Sequence, residues 1–200
     1  MDKHELTELL CRVADGSVSP DEAALKLKMQ PFEEIGEYAK VDMHRGIRQG
    51  VPEVIYGAGK TKEHILAIAR AMLQNGQQTV LITRLCREAA DFVAAELTLE
   101  YHEIAKIGII GGMPEKSGRG RIVVATGGTS DMPVAEEAAL TAEALGNEVL
   151  RLYDVGVSGI HRLLSHMDAI MGARAVVAVA GMEGALPSVI GGLADCPVIA

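Results

Sequence analysis

Three times in its second half the chain runs a strand-like stretch into a glycine-bearing loop and then into a segment expected to be helical. Ile122 to Ala125 leads into Thr126-Gly127-Gly128-Thr129-Ser130-Asp131, Glu148 to Tyr153 leads into Asp154-Val155-Gly156-Val157, and Ala173 to Ala180 leads into a loop from Gly181 to Leu186. Between the first two, Pro133 to Leu145 sets Val134, Ala138, Ala142 and Leu145 on one face at the 3.6-residue period, and Gly146-Asn147 ends it. A second helix is expected from about Gly159 to Met171. Strands alternating with helices are the pattern of a parallel sheet, and the near-continuous apolar run from Ala173 suits a strand covered on both faces. The expected fold is therefore α/β, a three-layer open parallel sheet with helices on both faces. Loops at the carboxyl ends of such strands meet at one crevice, which is where chemistry is expected.

The first half repeats the rhythm less regularly. Glu53 to Tyr56 reads as a short strand ending at Gly57-Ala58-Gly59, and Thr61 caps a helix with Ile65, Ile68, Ala69, Met72 and Leu73 inward, closed by Asn75-Gly76. Thr79 to Ile82 is a strand, Arg84 to Leu97 a helix and residues 104 to 110 a further strand. The polar, glycine-containing stretch from Gly111 to Gly120 is the best internal boundary. Residues 1 to about 30 are helical and mostly polar. Leu6, Leu9 and Leu10 share one face, and Ser19 with Pro20 starts a second helix that Pro31 stops. The organisation is then an N-terminal helical region over 1–40, an α/β region over 41–118 and a second α/β domain over 119–200. The sequence stops inside the strand-like Pro197-Val198-Ile199-Ala200, so this last domain reads as incomplete at its C-terminus.

Composition excludes several classes of function. The hydrophobic fraction is 48% of 200 residues, too high for a disordered chain. With 27 acidic residues against 19 basic ones, the net charge of -8 opposes nucleic-acid binding through broad positive charge, and two Phe, four Tyr and no Trp offer few stacking platforms. The longest strongly apolar stretch, Ala175 to Met182, is too short to span a bilayer, and MDKHELTELL lacks the layout of a signal peptide. Cys11, Cys86 and Cys196 form neither a disulfide framework nor a metal spacing, and His4, His64, His102 and His166 have no metal spacing either. A cytoplasmic protein without membrane or nucleic-acid partners is expected.

The loops carry the candidate chemistry. Gly127 and Gly128 permit close approach of backbone to a ligand, and Thr129, Ser130 and the following helix amides can cradle a phosphate, with Asp131 ordering a ribose hydroxyl or a water. The plainer alternative is a helix cap made by Ser130 or Asp131. His161 suits proton transfer, and the rigid fork of Arg162 suits phosphate or carboxylate; a surface pair with Asp154 or Asp168 is the alternative. Glu183, between Gly181 and Gly184, is either an acid/base group or part of a solvent-facing turn. Upstream, VDMHRGIRQGVPEVIYGAGKT gathers Asp42, His44, Arg45, Arg48, Glu53 and Lys60; its GAGKT lacks the spacing of a phosphate loop, leaving Lys60 as an anion contact or a solvated side chain.

Taken together, VDMHRGIRQGVPEVIYGAGKT, GGTSDMPVAEEAALTAEALG, VLRLYDVGVSGIHRLL and VAGMEGALPSVIGGL resemble the LarB family of nickel-pincer-cofactor biosynthesis proteins, over about residues 41 to 200. Their C-terminal region is similar to the aminoimidazole-ribonucleotide carboxylases of purine biosynthesis. The resemblance implies a flavodoxin-like, carboxylase-like domain after a smaller helical and α/β N-terminal region. It implies a carboxylase and hydrolase that adds CO2 (or bicarbonate carbon) to ring carbon 5 of nicotinic acid adenine dinucleotide and cleaves its phosphoanhydride. The products are pyridinium-3,5-biscarboxylate mononucleotide and AMP; NAD and AMP-like molecules are further expected ligands. It matches Gly128, Thr129, Ser130 and Asp131 to the phosphate or ribose loop, His161 and Arg162 to the superfamily's His-Arg loop, and Met182, Glu183, Gly184 and Ala185 to the loop over the base-binding end; beside it, the residues themselves offer Gly127 and Asp154 as further substrate contacts, Arg162 with Lys60 or Arg48 against the substrate's negative charge, and Glu183, His161 and Asp131 as candidate proton-handling groups. The family's catalytic cysteine lies in an asparagine-serine-cysteine segment that this sequence lacks; Cys196 is not its counterpart. No tightly bound cofactor is implied, although Mg2+ would assist phosphoanhydride cleavage, with Asp42, Asp131 and Asp154 as candidate contacts. The related carboxylases also imply a homo-oligomer, in the extreme an octamer. The competing functions are a carboxylase or mutase of aminoimidazole ribonucleotide and a non-catalytic nucleotide-binding assembly module.

Overall fold

The computed structural model describes residues 3–29, 33–36, 38–42, 45 and 50–200. The chain divides into two units, one of Met1–Glu53 with Ala67–Gln77, the other of Val54–Leu66 with Gln78–Ala200.

The first unit holds helices α1 (Lys3–Ala14) and α2 (Pro20–Met29), the antiparallel pair β1 (Glu33–Ile35) and β2 (Ala39–Val41), and the C-terminal turns of α3 (Lys62–Gln74). α2 starts as its sequence dictates. Ser19 N–H donates to Glu22 Oε2 (2.9 Å), Glu22 N–H donates to Ser19 Oγ (3.2 Å), and Pro20 takes the first helical position, where no amide is needed. Leu9, Val18 and Ala23 form a small apolar cluster with Val13 and Leu27. Leu6, Leu9 and Leu10 all lie on α1, and of the three only Leu9 is buried. Pro31 lies outside the described residues.

The second unit contains two four-stranded sheets that share a helix. The first runs β3 (Ile55–Tyr56), β4 (Val80–Thr83), β6 (Ile107–Ile110), β5 (Leu99–His102); β3 and β4 are parallel and the other neighbours antiparallel. The second runs β10 (Val198–Ile199), β9 (Ala175–Val179), β7 (Arg121–Thr126), β8 (Glu148–Leu152), all parallel. Helix α5 (Met132–Ala144) lies between them. Ala135 and Ala139 pack on Val124, Ile122, Val149, Val177 and Val179, while Leu140 and Ala144 pack on Leu81, Ala105, Ile107 and Ile109. The buried positions of α5 are thus 135, 139, 140 and 144; of the expected face, Val134 is exposed and Ala138, Ala142 and Leu145 are half-buried. A helix covered on two sides needs small residues on both, which a single-face reading does not capture. Its end is as expected: Gly146 takes a φ of 80° and Asn147 N–H donates to Ala142 O (3.1 Å).

The opposite face of the parallel sheet is covered by α6 (Ile160–Leu164), α7 (Met167–Met171) and α8 (Leu186–Gly191). Leu163, Ile170, Leu186 and Ile190 meet Val123, Ala125, Val176 and Ala178 there. Alternate residues of β7 and β9 therefore enter two different cores, which makes the three-layer α/β arrangement.

Three expectations are corrected. The helix expected over 84–97 is α4 (Arg87–Ala94), because Arg84 takes left-handed backbone (φ 52°) and Leu85 N–H is claimed by Lys106 O (2.8 Å). The strand expected over 104–110 is β6 alone, preceded by the unexpected β5. The helix expected from Gly159 to Met171 is broken at Ser165-His166, where the Ser165 hydroxyl donates to Arg162 O (2.7 Å). Among the described residues no helix is long and apolar enough to cross a membrane.

Candidate functional site

Because β7, β8 and β9 are parallel, the loops that follow them leave one edge of the sheet. The chain steps from β7 to β8 on one side and then crosses to β9 on the other, so strand order reverses between β7 and β9. That is where an open α/β sheet leaves a crevice.

The three loops are tied to one another through backbone. Gly127 N–H donates to Val179 O (2.8 Å), and Val155 N–H to Thr126 O (2.9 Å). The fully buried Thr126 hydroxyl accepts Asp154 N–H at 2.9 Å, and Asp154 takes a φ of 55°. A side chain at Gly156 would put its Cβ 2.4 Å from the Gly127 carbonyl oxygen, so only glycine allows the second loop to lie on the first. Asp131 closes the triangle. One carboxylate oxygen accepts Gly128 N–H (2.9 Å) in its own loop, and the other accepts Gly181 N–H (3.0 Å) in the third. Both oxygens being engaged with backbone amides, Asp131 holds the loops in place.

These contacts leave a hollow of about 200 Å3. The first loop contributes Gly127, Gly128, Ser130 and Asp131; the second Asp154, Gly156, Val157, Ser158 and Arg162; the third Ala180, Met182 and Glu183. Ser130, Arg162 and Glu183, far apart in sequence, thus line one space. Among the described residues the hydroxyls of Ser130 and Ser158 and the carboxylate of Glu183 make no hydrogen bond or ion pair. Arg162 pairs with Asp154, the alternative its sequence context already offered. Their side chains are 37% and 52% exposed, so solvent screens the pair and a bound anion can displace the carboxylate at small cost.

Not every expected site residue gathers here. Thr129 and Gly184 are exposed, Ala185 is half-buried, and none of the three lines the hollow. His161 is exposed on α6, and Lys60 is exposed in the turn after β3, its N–H donating to Gly57 O (3.1 Å); neither lines the hollow. Arg48 and His44 lie outside the described residues. Ser158 is a lining residue that sequence reasoning passed over. It sits in the same GVSGIHR stretch as Arg162, and the signal was a second hydroxyl beside a glycine.

Three carboxylates (Asp131, Asp154 and Glu183) face one guanidinium in the hollow. The arrangement favours a ligand carrying both signs of charge, an anion toward Arg162 and the serines, a cation toward Glu183. Among the described residues no three His, Cys, Asp or Glu side chains come together as a metal-binding group. Asp131 accepts the amides of Gly128 and Gly181, and Asp154 is paired with Arg162, so neither of these two carboxylates stands without a partner.

Residues 32–112 match the family model described as the LarB/PurE-like N-terminal domain. The chain is also similar to an uncharacterized protein of Methanocaldococcus jannaschii, 39% identical over 202 residues that span 97% of this chain and 79% of the relative.

Proposed function

Since the chain belongs to the family of that archaeal protein and carries a LarB/PurE-like N-terminal domain, we propose that its loop hollow binds a phosphorylated pyridinium nucleotide, of the kind of nicotinic acid adenine dinucleotide, for carboxylation of the ring and cleavage of the phosphoanhydride. The observation that supports this most is the convergence of Ser130, Ser158, Arg162 and Glu183 at the switch point of a parallel sheet. A pyridinium nucleotide carries a cationic ring and anionic phosphates in one molecule, which suits a hollow with one guanidinium and several carboxylates.

On this reading Arg162 exchanges Asp154 for a phosphate, making charge-assisted hydrogen bonds, and the Ser130 and Ser158 hydroxyls donate to other phosphate oxygens. Glu183 lies toward the cationic ring. Carboxylation at a ring carbon forms a carbon–carbon bond to CO2 and releases the proton that carbon held, and Glu183 accepts that proton. An electron-poor ring attacks CO2 only after a nucleophile has added to it. The family resemblance gives that step to a thiol, and none of Cys11, Cys86 and Cys196 lines the hollow. The residues of this chain are therefore assigned binding, orientation and proton acceptance. Met182, almost wholly exposed beside Glu183, is placed to cover the bound ring and exclude water. Assembly into a homo-oligomer belongs to the same reading, and sedimentation checks it.

Calorimetric titration tests the proposal. Nicotinic acid adenine dinucleotide is expected to bind more tightly than aminoimidazole ribonucleotide, and Arg162→Ala to weaken it without loss of fold. Equal or reversed affinities favour the ribonucleotide carboxylase reading. Unchanged affinity in the folded Arg162→Ala protein removes Arg162 from the site.

A further inference from the structure

Asp154 is fixed in the loop hollow through its backbone, whether or not a ligand is there. Its N–H donates to the buried Thr126 hydroxyl (2.9 Å), and its φ of 55° lies in the left-handed region that only Gly, Asn and Asp visit readily. The guanidinium of Arg162 is placed by Gly159. That residue is buried with a φ of -126°, which any residue can take, but a Cβ there would lie 2.6 Å from Arg162 Nε and 3.0 Å from Nη2. The missing side chain therefore makes room for the guanidinium, whose Nη1 donates to Asp154 Oδ2. Among the described residues neither side chain has a further hydrogen-bond or ion-pair partner.

An anion that takes Arg162 thus leaves the Asp154 carboxylate without a partner. Thr126 keeps the Asp154 backbone in place, so the freed carboxylate stays beside the anion that displaced it. Asp131 is unaffected, because both of its oxygens are engaged with backbone amides. Glu183 is already an unpartnered carboxylate of the same hollow among the described residues. A plain phosphate therefore exchanges one ion pair for another and acquires like charges as neighbours, which lowers its affinity. A phosphate whose own molecule carries a cation nearby removes that penalty. The cation stands to Asp154 as the guanidinium did before.

We propose that Asp154 is a specificity-determining residue that changes partner on binding: the ligand's phosphate takes Arg162 from it, and its carboxylate then pairs with a positive charge on the same ligand. The hollow thereby selects phosphates that carry a nearby cation, such as a pyridinium ribonucleotide, over those with a neutral ring. The inference rests on the reading of the loop hollow as a phosphate site.

The experiment titrates the full chain calorimetrically with nicotinamide mononucleotide and with its reduced form, at about pH 8, where the phosphate carries both charges. The probes share ribose and phosphate and differ in the ring, positive in one and neutral in the other. The oxidised probe is expected to bind the parent protein about tenfold more tightly, an exposed ion pair with each of Asp154 and Glu183 being worth up to about fivefold. Asp154→Asn keeps the N–H that donates to Thr126 and suits the left-handed backbone, so the fold should hold. It should tighten the reduced probe about three- to fivefold, because nothing then competes for Arg162, and narrow the preference to about threefold or less. Glu183→Gln frees no guanidinium, so it should narrow the preference while leaving the reduced probe within about twofold. Equal binding of the two probes to the parent overturns the proposal. So does an Asp154→Asn protein that keeps the parent's preference or binds the reduced probe no more tightly. If Arg162→Ala weakens both probes in those cases, the phosphate reading stands without the proposal. Absence of binding by either probe overturns both readings together.

Discussion

The two sheets of the second unit are built from similar apolar strands and share one helix, yet only one carries a convergent site. In the parallel sheet, β7, β8 and β9 all end at the same edge, and three loops stack there through Gly127, Gly156 and Asp131. In the mixed sheet, β6 runs against both of its neighbours. At the edge where β3 and β4 end, Gly57 N–H donates to Thr83 O (2.7 Å), much as Gly127 does to Val179. But β6 and β5 do not bring two further strand-end loops to that edge. Gly57-Ala58-Gly59-Lys60 is as rich in glycine as the loop after β7 and gathers less around it. Strand direction, more than loop composition, makes the site.

The comparison breaks most sharply at its glycines. Gly156→Val drives a side chain into the Gly127 carbonyl, and overpacking of this kind costs about 1–3 kcal/mol. Urea denaturation is expected to show a loss in the upper part of that range, and calorimetry the loss of nucleotide binding. In the other sheet, Gly59→Ala meets no atom within 4 Å, and its φ of 77° is the only obstacle. A cost of about 1 kcal/mol with ligand binding intact is expected. If Gly156→Val binds nucleotide like the parent, the three loops do not act as one structure.

A charge comparison comes next in size. Arg162→Ala is expected to weaken a phosphorylated ligand by roughly 10- to 100-fold, the usual worth of charged hydrogen bonds. Lys60→Ala, which removes a cation from the turn outside the hollow, should leave affinity within about twofold, as for an exposed charge. Calorimetry on both variants checks it, and equal losses would erase the distinction between the two loops. Asp131→Asn follows. The amide keeps one acceptor and points an NH2 at the second of two backbone donors, costing about 1–2 kcal/mol in urea denaturation and loosening the loop after β9.

Much of this difference was legible in the chain. Ile122–Ala125 and Ala175–Ala180 announce doubly covered strands because every residue is apolar, and the glycines after them mark where backbone must pass close to backbone. What stayed hidden has physical causes. Leu99–His102 reads Leu-Glu-Tyr-His, with a charge and no run of β-branched residues, so β5 is called into being by its partner β6 more than by its own preference. Without β5, the direction of β6 was also hidden: a connection as short as residues 103–106 allows only antiparallel pairing. The inward face of α5 was misread because two sheets compete for it. Asp131 looked like a cap or a ligand contact. Its bond to Gly181, fifty residues on, is a fact of topology that no local pattern carries.

The smallest expected effects test whether the shared helix couples the sheets. Thr126→Val removes the buried hydroxyl that accepts Asp154 N–H and leaves that donor without its acceptor, so about 1 kcal/mol of stability and part of the ligand affinity should go. Tyr101→Phe is its counterpart across α5: the phenol donates to Leu85 O at 3.0 Å, and burial holds its pKa up, so the hydroxyl stays protonated and remains a donor at any ordinary pH. Its removal leaves only a carbonyl with a second lone pair free. The ring stays packed, and a loss of about 0.5–1 kcal/mol is expected with no change in nucleotide affinity. Should Tyr101→Phe weaken binding as much as Thr126→Val does, strain in the mixed sheet reaches the loop hollow through α5, and the two sheets function as one body.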